Sequence, residues 1–61
     1  MKNFRVYYQI NGQEYTEDFS MDGVISAETK SISAWLRIKK AHPDVRREDI
    51  AIGDIVDITV R

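Results

Sequence analysis

The dipeptide Asn11-Gly12 constrains the fold of this chain more than any other feature of its sequence. Both residues tolerate positive φ, so the pair favours a two-residue turn that joins two antiparallel strands. Residues 4–10, before the turn, alternate between apolar and polar side chains, which is the period of a half-buried strand. Residues 13–19, after the turn, supply the returning strand. The sequence therefore predicts a β-hairpin.

The length of this turn also fixes the register of the hairpin. With two residues in the turn, aromatic rings lie opposite aromatic rings on one face, and opposite charges meet on the other. A slip of one residue would destroy both patterns, so the register is well specified. The deciding pairs are Phe4 with Phe19, Tyr8 with Tyr15, and Arg5 with Asp18.

The segment after the hairpin predicts one helix. Ser26 or Thr29 can cap its N-terminus by accepting a hydrogen bond from an exposed backbone N–H. The helix runs to about His42, because Pro43 disfavours the helical conformation of the residue before it. A spacing of about 100° per residue gives a broad apolar side, with two further apolar residues flanking it. That side comprises Ala34, Trp35, Ile38, Ala41 and His42, and the flanking residues are Ile32 and Leu36.

The last segment predicts a third strand, because β-branched residues recur in it with a period of two. This alternation places Ile50, Ile52, Val56, Ile58 and Val60 on one face. Ile55 falls on the other face, and Gly53-Asp54 indicates a bulge. A right-handed crossover puts this strand beside the first one. We therefore predict a single α+β domain, residues 1–61, of ββαβ order. Its three-stranded antiparallel sheet has the order 2-1-3, with one helix packed on one face.

Composition narrows the classes of function. The chain of 61 residues contains no cysteine, so it has neither a disulfide nor a thiolate metal site. No stretch has the length and hydropathy of a signal peptide or a membrane span, so we expect a cytoplasmic protein with no membrane partner. The net charge is only −1, but the basic residues concentrate between residues 28 and 47, and both flanking segments are acidic.

The order of these elements resembles a known group of proteins. An NGQ turn, a helix that ends in KKAHPD and an Ile-rich final strand are similar to the small hairpin–helix–strand proteins abundant in phages, plasmids and conjugative elements. The resemblance covers the whole chain as a pattern of elements. Many of those proteins are uncharacterised, and no signature residue carries the likeness, so it implies a fold and transfers no functional residue.

The segment DFSMDGVISAET, residues 18–29, raises the question of calcium binding. It matches an EF-hand loop at Asp18, Ser20, Asp22, Gly23, Ile25 and Ser26. Position twelve of the loop is Thr29, however, so the bidentate carboxylate that closes such a site is missing. The preceding residues also predict a strand where an EF-hand has a helix. A turn that leads into a capped helix is the favoured interpretation, and weak calcium binding is the remote alternative.

The residues that could support catalysis are few. His42 is the single histidine and precedes Pro43 at the predicted end of the helix, where packing or capping is the commoner role. No serine has a base beside it in the sequence, and the three glycines are isolated, so a phosphate loop is not expected. We therefore predict a protein that is not an enzyme, with no cofactor and no small-molecule substrate.

Two surfaces remain as candidates for binding. The first is a basic block for nucleic acid, because phosphate binding needs clustered cations. It comprises Lys30, Arg37, Lys40, Arg46 and Arg47. A solvated helix face is the alternative interpretation of the same residues, and the net charge does not favour a polyanion.

The second surface is the face of the sheet away from the helix, together with the open edge of the last strand. Tyr7, Ile55 and Thr59 are its candidate contact residues, and the face is more apolar than a fully hydrated sheet needs. We predict that the chain is a small binding module for a protein partner, or for a second copy of itself. Nucleic-acid binding through residues 30–47 is the alternative.

Overall fold

The computed structural model describes residues 1–60 and has the predicted architecture. Three antiparallel strands form one open sheet with the order β2-β1-β3, and one α-helix packs on a single face. A short 3-10 helix, Arg47–Asp49, precedes the last strand. The elements are β1 (Lys2–Ile10), β2 (Gln13–Met21), α1 (Ala27–Ala41) and β3 (Ile50–Asp57). The α+β prediction with sheet order 2-1-3 is confirmed.

The turn between β1 and β2 has the conformation that its sequence favours. Asn11 and Gly12 have φ values of 50° and 84°, and Ile10 pairs with Gln13 on either side of them. The predicted register is confirmed along the whole hairpin. The ring centroids of Phe4 and Phe19 lie 5.6 Å apart, and those of Tyr8 and Tyr15 lie 5.7 Å apart.

Ser26 and Thr29 together cap the start of α1. The Ser26 hydroxyl accepts a hydrogen bond from the Thr29 backbone N–H at 3.1 Å, and the Thr29 hydroxyl accepts one from the Ser26 N–H at 3.0 Å. This reciprocal arrangement satisfies two backbone donors at the end of the helix. The helix ends at Ala41, directly before His42 and Pro43, as the sequence predicts.

The core forms between β1 and α1. Phe4, Val6, Tyr8 and Ile10 are the buried residues of the sheet, and they all belong to β1. Ala34 and Ile38 of α1 cover them, and Tyr15, Phe19, Val45, Ile50 and Ile55 pack around this centre. The prediction for Ala41 is wrong: it is exposed, because the apolar contact with the sheet ends one turn earlier, at Ile38.

A bulge in β3 changes which residues of that strand face the helix, so the faces predicted from the sequence need correction. Val6 pairs with Ile55 and Tyr8 with Ile52, so the single residue Tyr7 lies opposite two residues of β3, at positions 53 and 54. The extra residue reverses the alternation beyond it. Ile55 therefore points inward and packs against the core, whereas Val56 is 42% exposed on the outer face. The prediction that Ile55 lies on the outer face is wrong.

Glycine at position 53 makes this bulge compatible with close pairing. A Cβ atom built on Gly53 would lie 3.1 Å from the backbone oxygen of Tyr7, which is closer than nearly all real contacts of that kind. Any other residue at position 53 would require the two strands to shift by a few tenths of an ångström at this point. Past the bulge the pairing continues to Asp57, and the Ile58 N–H then donates to the Asn3 carbonyl at 2.8 Å.

Candidate functional site

An apolar groove lies between the helix and β3. It has a volume of about 410 Å³. Its lining residues are Ser31, Ile32, Trp35, Arg47, Ile50 and Ile52, and we call it the β3 groove. Ile52 pairs with the buried Tyr8, yet its own side chain is 43% exposed. The inner face of β3 is therefore only partly covered by the helix.

The position of α1 over the sheet explains why the groove stays open. On the β2 side of the helix, Arg37 Nε lies 3.5 Å from the Glu17 carboxylate, and the Lys30 ammonium lies 5.5 Å from the centroid of the Phe4 ring. The two buried helix residues rest on β1. The helix therefore lies over β1 and β2, and β3 extends beyond it.

The wall of the groove formed by α1 is a stripe of residues spaced three or four apart. Glu28, Ile32, Trp35 and Lys39 share this side of the helix, because seven residues make about two turns. The Arg47 guanidinium lies 5.2 Å from the centroid of the Trp35 ring, and this contact joins the stripe to the start of β3. Leu36, which is 62% exposed, extends the apolar surface of the stripe toward solvent.

The floor of the groove ends at an open strand edge. Because the sheet order is β2-β1-β3, one side of β3 pairs with β1 and its other side has no neighbouring strand within residues 1–60. An edge of this kind presents backbone N–H and C=O groups that a further strand can pair with. The β3 groove thus combines exposed apolar side chains with backbone hydrogen-bonding groups.

The residues predicted to form a site on the outer sheet face do not come together. Tyr7 is 44% exposed on that face, as predicted, beside a shallow hollow of about 460 Å³. Ile55 points the other way, into the core. Thr59 lies past the end of β3, where its hydroxyl oxygen accepts a hydrogen bond from the Asn3 N–H at 3.0 Å. Thr59 therefore has a structural role in attaching the end of the chain to β1.

The predicted basic block is divided among different surfaces. Lys30 lies over Phe4 of β1 and Arg37 pairs with Glu17 of β2, whereas Arg47 belongs to the β3 groove. Arg46 forms ion pairs with Glu48 and Asp49, at 3.1 and 3.8 Å. Lys40 is exposed in the last turn of the helix. Several of these cations thus have a partner within their own chain, and the five do not form one continuous phosphate-binding surface.

The segment that resembles a calcium loop is partly a strand. Asp18 and Ser20 belong to β2, and the Asp18 carboxylate accepts hydrogen bonds from the Arg5 guanidinium at 2.8 and 3.2 Å. These bonds lower the pKa of Asp18. Ser20 donates to the Asn3 side-chain oxygen at 2.6 Å, and Thr29 takes part in the helix cap. Within residues 1–60, no three or more carboxylate or imidazole groups are arranged to hold a metal ion.

His42 forms a packing contact at the end of the helix. Its Nε2 atom lies 2.8 Å from the Tyr8 hydroxyl, and its ring meets the edge of Tyr15 with centroids 4.9 Å apart. Burial raises the pKa of Tyr8. The hydrogen bond to His42 gives the hydroxyl of this buried tyrosine a partner. Packing at the end of the helix is one of the two roles that the sequence favoured for His42.

Comparison of the chain with models of protein families, with curated proteins and with solved structures finds no match. The fold and the groove define the chain as a small α+β domain with an open sheet edge. Its resemblance to small phage and mobile-element proteins stays a prediction. No helix among residues 1–60 combines the length and hydropathy needed to cross a bilayer.

Proposed function

We propose that this chain is a non-enzymatic protein-binding module whose binding surface is the β3 groove together with the free edge of β3. The observation that carries the proposal is the position of this edge directly beside the exposed side chain of Ile52, with the half-buried Ile50 next to it in the groove. The cysteine-free composition suits the reducing cytoplasm, which we propose as the site of action.

An extended segment of a partner fits both parts of this surface. Its backbone would pair with β3 and lengthen the sheet by one strand, which supplies hydrogen bonds independent of sequence. Alternate side chains of that strand would point toward the helix side of the sheet. There they would meet Ile52 and Trp35, so apolar residues at every second position of the partner give the specificity.

The same contacts make nucleic acid a weaker candidate. A groove for single-stranded nucleic acid combines a continuous run of cations with exposed aromatic rings. Here the aromatic ring of the groove is Trp35, and Arg47 is the cation beside it. The other members of the basic block lie elsewhere: Lys30 and Arg37 lie on the β2 side of the helix, Arg46 is paired with carboxylates, and Lys40 is exposed in the last turn.

Selection from a displayed library of random peptides tests the proposed function. We expect the enriched peptides to alternate apolar with polar residues, because only every second side chain reaches the groove. The substitution Ile52→Lys should weaken their binding about tenfold or more, since it places a charge on the floor of the groove. Val24→Lys is the matched control, because Val24 is fully exposed and lies outside the groove.

Peptides that bind Ile52→Lys as tightly as the unaltered chain would contradict the proposed surface. Enrichment of sequences without any apolar alternation would contradict the proposed mode of binding. Circular dichroism of both variants provides the check that each remains folded, so that a loss of binding is assigned to the groove itself.

Titration with labelled single- and double-stranded DNA and RNA tests the alternative function. At about 0.15 M salt we expect a Kd weaker than about 1 μM, in the range of non-specific binding. Reversing two exposed cations together, with Arg37→Glu and Lys40→Glu, should then change little at this salt concentration. Tighter binding that falls steeply with salt and is lost in this double variant would make nucleic acid the better assignment.

A further inference from the structure

We propose that the occupant of the β3 groove is a second copy of this chain, docked with the two β3 strands antiparallel about a two-fold axis. This inference rests on the proposed function and names its partner. It follows from the way in which charge is distributed along the groove.

The helix and β3 form the two walls of the groove, and they run antiparallel to each other. The C-terminus of α1 lies near Tyr8, because His42 binds the Tyr8 hydroxyl. The N-terminal half lies near Phe4, because Lys30 sits over the Phe4 ring. On β3, the residue opposite Ile10 is Ile50 and the residue opposite Phe4 is Asp57. We call the Ile50 end the upper end and the Asp57 end the lower end.

Basic groups lie at the upper end of the groove. Arg47 stacks over Trp35 beside the start of β3. Lys39, in the last turn of the helix stripe, donates to the Val45 carbonyl oxygen at 2.8 Å and so remains at this end. Neither cation has an ion-pair partner among residues 1–60.

An acidic group lies toward the lower end. Glu28 is in the first turn of α1, on the same stripe as Trp35 and two turns before it. Its side chain is exposed, and within the described chain Glu28 forms no ion pair. The apolar residues Ile32, Trp35 and Ile52 lie between these charges, and Ile50 lies at the upper end.

A two-fold axis makes this pattern complementary to itself. In a closed dimer the same patch is used by both copies, so the patch must match its own rotated image. Antiparallel pairing of the β3 edges sets the upper end of one groove against the lower end of the other. The basic groups of each copy then face Glu28 of the other copy, and the apolar centres meet in the middle. The product is a six-stranded sheet with both helices on the same face.

Charge exchange provides a test that does not depend on one substitution. The first variant is Arg47→Glu, and the second is Glu28→Lys. Each variant alone places like charges together at both ends of its own dimer, which we expect to weaken association at least about tenfold. An equimolar mixture restores opposite charges at both ends, so mixed dimers should form. Lys40→Glu, outside the groove, is the control and should leave association unchanged.

Sedimentation velocity of the full chain, from about 10 μM to 1 mM and at low salt, measures these associations. A concentration-dependent dimer of the unaltered chain, loss of dimer in each variant and recovery in the mixture are the expected results. A monomer at every concentration would overturn the second copy as the occupant, and so would a dimer that is insensitive to either variant. Peptide selection separates the two proposals. If the chain is a monomer and its groove still selects alternating peptides, only the proposal of a second copy is contradicted. If the chain is a monomer and selects no such peptides, the proposed function is contradicted as well.

Discussion

Replacing Ile55 with glutamate is expected to lower the free energy of unfolding by about 2 kcal/mol or more, because the substitution removes an inward apolar side chain and places a carboxylate beside the core. Ile55 pairs with the fully buried Val6 and packs against the central cluster. A domain of this size is stable by only a few kcal/mol. Urea unfolding at 25 °C, followed by circular dichroism, should show a midpoint at a clearly lower urea concentration than that of the unaltered chain.

Val56→Glu is the matched control for this substitution. Val56 is the next residue of the same strand, but it is 42% exposed on the outer face and lies opposite Arg5. We expect a loss below about 1 kcal/mol, as is usual for exposed positions. If Val56→Glu were the more damaging change, β3 would follow its sequence alternation without the bulge at position 53.

Replacing Ile38 with alanine should destabilise the protein by about 2–5 kcal/mol, the range that is typical of a cavity left by a fully buried isoleucine. Ile38 is 0% exposed and is the larger of the two buried helix residues. A loss of this size matches or exceeds the stability expected of the whole domain. The same urea titration, or the midpoint of thermal unfolding, provides the measurement.

Leu36→Ala removes a similar side chain from the same helix and provides the comparison for Ile38. Leu36 is 62% exposed, so its truncation should cost about 0.5 kcal/mol or less when the protein is dilute. Equal losses from the two substitutions would mean that the helix presents a different face to the sheet from the one described.

The hairpin and the helix could be predicted from the sequence because local chemistry determines them. The turn at Asn11-Gly12 fixes nine cross-strand pairs without reference to the rest of the chain. Likewise, Ser26 and Pro43 set the limits of α1 within one or two residues. Each of these signals acts over a few residues, and no tertiary contact overrides it.

The faces of β3 could not be predicted, because they depend on where the strand meets β1. The sequence indicated a bulge at Gly53-Asp54, but alternation alone does not tell which residues lie beyond the inserted one. Only the pairing of Val6 with Ile55, after that of Tyr8 with Ile52, shows that Ile55 turns inward and Val56 outward. This shift of one residue in the register is the reason why the sequence placed Ile55 on the outer face.

The β3 groove was missed for a related reason. The helical spacing identifies which side of α1 faces the sheet, but not how far the helix lies from each strand. In the structure the helix packs on β1 through Ile38 and contacts β2 through the Arg37–Glu17 pair, so it lies away from β3. A usable signal was present in the surplus of apolar side chains at Ile32 and Leu36, which one small core cannot bury. The helical spacing likewise grouped Lys30, Arg37 and Lys40, but it did not show the groups that Lys30 and Arg37 contact in the structure.

The placement of every buried sheet residue on β1 has a consequence for how the chain folds. This strand supplies the sheet side of the core and is hydrogen-bonded to both of its neighbours. Removing either the helix or β1 would expose the remaining apolar side chains, so no shorter piece keeps a core of its own. Closing β3 onto β1 also joins residues forty or more positions apart, and such distant contacts slow folding. The domain is therefore expected to gain and lose its structure in one cooperative step, without a stable intermediate fragment.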